Sequence, residues 1–172
     1  SLLEKLALKD PVWEVVATGE YGYLRFYEQV PEQLKEKAIE MLKKVRLEHT
    51  AHLPLGLLSQ GERKKMMLAR SLMTSPDLLV MDEPCSGLDL YERERLLEDL
   101  EGFRNQGIQF IYVTHHLEEI IPLFTHVALI HEGRLIAKGE KHDVIREEQI
   151  MEAYQVKVDI DWIGDRPWLH VI

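Results

Sequence analysis

A short apolar run, Leu78-Leu79-Val80-Met81, leads directly into two carboxylates, Asp82 and Glu83. A strand that ends in acids presents them at the carboxyl edge of a sheet, where ligands of open α/β folds bind. There, one carboxylate suits a magnesium ion held through water. Its neighbour suits orienting or deprotonating a water that attacks a phosphate. An isolated Asp-Glu pair is more often just a strand end with solvated acids. Upstream stands Leu58-Ser59-Gln60-Gly61-Glu62, in which Ser59 and Glu62 have the spacing of a capping box. A helix start offers free N–H groups and partial positive charge to an anion. Gly61, with no side chain, lets a phosphate approach the backbone. Taken alone, the segment is only a cap. Downstream, Ser86-Gly87-Leu88-Asp89 places a tight turn at Gly87 and an N-cap at Asp89, with Glu92 completing a second box. Val113-Thr114-His115 sets a histidine just past an apolar strand, in position to hydrogen-bond a phosphate oxygen or its attacking water. A lone histidine there is more often structural.

These residues need elements to hold them. Residues 2–8 are mixed and fit a short helix, and Pro11 to Thr18 fits a buried one. Gly19 to Tyr27 is rich in turns and aromatics. Pro31 opens a clear helix, since proline is tolerated in the first turn. On it Leu34, Ala38, Met41, Leu42 and Val45 share one face. Pro54 and Gly56 break the chain before Ser59. The spacing predicts helices from about Gln60 to Met73 and from about Leu90 to Phe103. Strands are predicted at Leu78–Met81, a continuous apolar run of the kind found in parallel strands buried on both faces, at Ile108–Thr114, and at Val127–Ile130, which Gly133 turns back into Leu135–Ala137. Two short helices over 141–153 and a terminal hairpin complete the pattern. Strands alternating with helices indicate an α/β layered sheet.

The 172 residues are 45% hydrophobic and 30% charged, as in an ordinary globular domain. A net charge of −9 argues against a nucleic-acid binder, which needs a dense basic surface. The single cysteine, Cys85, excludes an internal disulfide and fits a reducing cytosol; it reads as a buried thiol, with no histidine adjacent in sequence to activate it. His116, His126 and His131 lack metal-ligand spacing. No apolar stretch approaches the roughly 20 residues that cross a bilayer. The abrupt start at Ser1 reads as that of a fragment without a signal peptide.

Taken in order, the four motifs and their intervening elements resemble the ABC ATPase cassette. The resemblance implies an α/β, P-loop NTPase-like fold: a truncated parallel-sheet core with part of the helical subdomain. It divides the chain into a partial helical subdomain (1–57), the second half of the core (58–155) and a β-type extension (156–172). Ser59, Gln60, Gly61 and Glu62 resemble the signature that contacts ATP held by an opposite subunit. Asp82 resembles the Mg²⁺ residue and Glu83 the general base; Ser86, Gly87 and Asp89 fall at cofactor-binding positions, and Asp89 resembles the D-loop aspartate that communicates across the dimer. His115 resembles the switch histidine. ATP and Mg²⁺ are the implied cofactors. The implied partners are a second ATPase subunit and a membrane permease, without nucleic acid or direct membrane insertion. That places the protein in the cytoplasm, peripheral at the inner face of the membrane. The overall look is nearest to importer cassettes of the molybdate and metal-chelate kind.

No G-x-x-x-x-G-K-[ST] occurs among the 172 residues. In the family, the phosphate-binding loop lies upstream, and its strand sits between strands resembling Ile108–Thr114 and Val127–Ile130. The resemblance therefore implies an open slot with unpaired edges, and a chain that hydrolyses no ATP alone. The alternative is a soluble ABC ATPase acting on ribosomes or assembly complexes. Against it stand the single signature, where ribosomal types usually carry two cassettes, and the acidic charge; the short helix after Pro31, with no extended heptad run, speaks against the types that act on DNA.

Overall fold

A computed structural model describes residues 7–172, which form two compact units, the first ending at Tyr112 and the second spanning Val113–Ile172. The helix expected over residues 2–8 falls, apart from its last two residues, outside the described part.

The first unit begins with α1 (Val12–Ala17) and α2 (Glu32–Lys44). Pro31 lies one residue outside α2 as its N-cap, with extended ψ of 140°, instead of in the first turn. The missing N–H is harmless at either place. Leu34, Ala38, Met41 and Leu42 turn inward from α2, and Val45 continues that face into the core. α3 (Gln60–Ser71) then runs into a 3-10 turn at Leu72–Thr74. β1 (Leu78–Asp82), α4 (Leu90–Glu101) and β2 (Gln109–Val113) follow. The Gln109 amide donates to the Asp77 carbonyl at 2.8 Å. The starts of β1 and β2 therefore meet and the strands run parallel, with α4 as the crossover such a pair requires. The core gathers Val12, Val16, Leu42, Met66, Leu97 and Phe103, all at most 2% exposed.

The expectation that β1 is buried on both faces is corrected. Leu79 is covered, but Val80 is 63% exposed, Leu78 47% and Ile111 49%. The helices of this unit pack on one face of the pair, so alternate side chains, which point to opposite faces, stay open to solvent.

An ionic node ties three helical elements together. Asp99 of α4, its side chain 1% exposed, receives Arg46 Nε at 2.6 Å from just beyond α2, and pairs with Lys65 Nζ of α3 at 2.8 Å. Arg46 reaches it from a left-handed backbone, φ 58°.

The second unit contains two hairpins and two short helices: β3 (His126–His131), β4 (Arg134–Glu140), α5 (Lys141–Val144), α6 (Glu147–Tyr154), β5 (Val158–Ile163) and β6 (Arg166–Val171). Both hairpins close through two residues of positive φ, Glu132-Gly133 and Gly164-Asp165, the geometry that matches strand twist. Leu117, Leu129, Val144, Ile145, Ile150 and Val158 form the core. Among the described residues β2 pairs with β1, β3 with β4, and β5 with β6.

Candidate nucleotide-contact site

Ser59 takes extended backbone (φ −61°, ψ 169°) and stops the chain from entering α3 any earlier. Its hydroxyl accepts from the Glu62 amide at 3.1 Å, and the Glu62 carboxylate accepts from the Ser59 amide at 2.8 Å. The expected capping box is therefore closed in both directions. Arg63 braces the approach to it, donating to the carbonyls of Leu58 and Gly56, each at 3.1 Å. Leu58 is buried below, while Ser59 and Gln60 are exposed.

The second box is not closed. Asp89 caps α4 as expected, its carboxylate accepting from the Glu92 amide at 2.8 Å. The Glu92 carboxylate does not return to Asp89. It crosses to α3 and accepts from the Gly61 amide at 3.3 Å. The physical reason is that the start of α3 offers both a free amide and positive charge within reach of the first turn of α4. Only glycine permits this, because a Cβ at position 61 would lie 2.7 Å from the Glu92 carboxyl carbon.

The turn between β1 and α4 is built for close approach. Gly87 has φ 77°, and a Cβ there would lie 2.6 Å from Gln60 Nε2, so the Gln60 side chain rests on the turn. Backbone bonds from Ser86 to Glu83 and from Leu88 to Cys85, both 3.1 Å, hold the turn. The start of α3 thus touches the turn, at Gln60 with Gly87, and the first turn of α4, at Gly61 with Glu92.

Asp82 is exposed at the end of β1, and Glu83 follows with a left-handed backbone, φ 46°. A bulky non-glycine residue held there stores of order 1–3 kcal/mol, and such strain clusters at functional positions. A groove of about 760 Å³ passes this end, lined by Gln60, Arg63, Lys64, Met67, Met81 and Asp82 among others. Exposed carboxylate oxygens are the ligand type that Mg²⁺ takes, and among the described residues no group of three or more His, Cys, Asp or Glu stands ready to hold a metal ion. Cys85 is buried, with its sulfur 3.2 Å from the Tyr112 hydroxyl.

His115 belongs to the second unit. Its ring is exposed and lies 4.0 Å, centroid to centroid, from that of His116. Its backbone is held on both sides. The Tyr154 hydroxyl donates to the His115 carbonyl at 3.2 Å. The Thr114 hydroxyl accepts from the His116 amide at 3.0 Å and donates to the buried Glu119 at 2.7 Å.

Sequence reasoning missed the cross-helix role of Glu92 and the bracing role of Arg63. Glu92 has the same i, i+3 spacing from Asp89 as a box residue, so no local pattern separates the two uses.

A sequence model described as ABC transporter matches residues 5–86. The chain is 33% identical over 171 residues to the Uncharacterized ABC transporter ATP-binding protein YlmA of Bacillus subtilis, covering 98% of this chain and 65% of that protein. It thus spans less than two thirds of that relative's length. Among solved structures, an ABC transporter in an inward-facing conformation aligns with a TM-score of 0.81 at 19% identity, over 95% of this chain and 66% of the other. The cbiO1 protein of Clostridium perfringens, part of an ABC transporter complex, aligns with a TM-score of 0.70 at 26% identity, over 87% and 59%. These neighbours share the α/β fold of ATP-binding cassettes.

Proposed function

Since this chain belongs to the ABC transporter ATP-binding family, we propose that it supplies the signature-bearing part of a subunit that binds and hydrolyses ATP to power transport across a membrane. The observation that carries the reading is the start of α3. A closed capping box fixes it, and the Gly61 amide there already holds an anion, the Glu92 carboxylate. A site that accepts a carboxylate through a backbone amide and a helix N-terminus has the chemistry to accept a phosphate oxygen.

In this reading two subunits close over two ATP molecules, and Ser59, Gln60 and Gly61 contact the nucleotide held by the other. Asp82 would hold Mg²⁺ through its exposed carboxylate. Glu83 accepts the proton of the attacking water, and His115 donates a hydrogen bond to a phosphate oxygen or positions that water. Bound MgATP supplies the transferable phosphoryl group. Ser86, Gly87 and Asp89 carry the state of one site to the other across the dimer. A membrane permease is the second partner, which places the subunit at the inner face of the membrane.

The chemistry is tested with Glu83→Gln in the whole protein. Steady-state phosphate release is expected to vanish while equilibrium binding of ATP persists. The same assay on the 172 residues alone is expected to give no turnover, since no phosphate loop occurs in them. Hydrolysis that survives Glu83→Gln removes Glu83 as the base. Co-purification with a membrane subunit supports transport, and co-purification with ribosomes points to a soluble ABC ATPase instead.

A further inference from the structure

We propose that Glu92 is an internal stand-in for phosphate. In this proposal its carboxylate occupies the Gly61 amide while no nucleotide is presented, and it must leave before a partner's ATP can dock. The inference rests on the reading of Ser59–Gly61 as the nucleotide contact and adds the residue that competes for it.

Three observations carry it. First, the bond crosses between elements. Glu92 is on the first turn of α4, yet its Oε1 lies 3.3 Å from the Gly61 nitrogen on the first turn of α3. Second, the carboxylate sits against Gly61 itself. Carboxyl carbon and Oε1 are each 2.7 Å from where a Cβ would be, which is the space a docking phosphate needs. Third, the helix loses nothing else when Glu92 leaves. α4 keeps its own cap, because Asp89 binds the Glu92 backbone amide and not its side chain. α3 keeps its box, because Ser59 and Glu62 satisfy each other. The side chain is therefore free to swing out by bond rotation with both helices in place.

Charge sets the direction of the effect. Glu62 and Glu92 put two carboxylates at the start of α3, and its nearest guanidinium, Arg63, is turned onto backbone carbonyls. While Glu92 is in place an incoming phosphate meets its carboxylate at the Gly61 amide. Once it has left, the phosphate meets a bare amide at the positive end of a 12-residue helix. The device thus raises the ATP concentration at which two subunits close. It also joins the start of α3 to the first turn of α4, so that docking at Gly61 breaks that contact.

The experiment uses the whole protein with Glu83→Gln to block hydrolysis, and measures MgATP-driven dimerisation by analytical ultracentrifugation. Glu92→Gln keeps the shape and removes the charge; Glu92→Ala removes both. Each is expected to lower the MgATP concentration for half-maximal dimer by about two- to fivefold, the size of one charge at a helix N-terminus. An unchanged or raised requirement in both variants, with melting temperatures held, overturns the proposal. Ser59→Arg is the control for the underlying reading. If it leaves dimerisation intact, the nucleotide does not dock at this helix and both readings fall. If it abolishes dimerisation while the Glu92 variants behave as wild type, only the Glu92 proposal falls.

Discussion

At Gly61 the three atoms nearest an added methyl group all belong to the Glu92 side chain. That neighbour is the free end of a flexible side chain, and inside a helix alanine is favoured over glycine by about 1 kcal/mol. Gly61→Ala is therefore expected to change stability by no more than about 1 kcal/mol in urea denaturation. It should still impair ATP-driven dimerisation of the whole protein, because the methyl keeps phosphate off the amide. A large loss of stability would show instead that Gly61 is there for packing. Much at this scale was legible in the chain. Ser59 with Glu62, and Asp89 as a cap, follow from side-chain reach over three residues. The partner of Glu92 was not, since that bond joins positions 31 residues apart. The strain at Glu83 was not legible either, because no residue preference announces a left-handed glutamate.

Between elements, the node at Asp99 joins α3, α4 and the segment just beyond α2. Asp99 is buried and meets two cations from separate elements. Removing its charge leaves Lys65, 12% exposed, without its buried counterion. Asp99→Asn is therefore expected to cost about 2–4 kcal/mol, somewhat under the range for a fully buried pair because Arg46 is half in solvent. Chemical denaturation of wild type and variant gives this number, and a cost below 1 kcal/mol would reduce the node to a surface pair. In the second unit, hydrogen bonds from Lys141 and then His142 hold the Asp165 carboxyl below its ordinary range. A depressed acid contributes fully above its unfolded pKa, and that contribution fades as pH falls through the lower folded value. The clamp of the last hairpin onto α5 should weaken on acidification below about pH 4. His142 stacks on Trp162, with centroids 3.9 Å apart, so the Trp162 indole resonance reports the clamp. Asp165→Asn should flatten its acid titration; an identical titration in the variant would remove Asp165 as the cause. The helices and strands were legible at this scale because hydrophobic spacing sets them. The strands' one-sided cover was not, since an apolar run does not say whether a second layer is present.

For the whole molecule, Leu78, Val80 and Ile111 leave an apolar face of the β1–β2 pair open to solvent. Uncovered apolar strands favour association with another chain. The 172 residues alone are expected to self-associate with rising concentration, measured by sedimentation. Val80→Lys, directed at that face, should shift them toward monomer, and a wild-type monomer across the micromolar range would contradict this. The motifs, their order and their spacing pointed to the family, because each is a set of fixed residue types at fixed local distances. Caps and periodicities determined the elements for the same reason: they act over one or two turns. Only the tertiary structure decided which face of the strands is covered, which cations meet Asp99, and that Gly61 holds the Glu92 carboxylate. Those contacts join residues far apart in the chain, and their energies depend on which surfaces folding brings together.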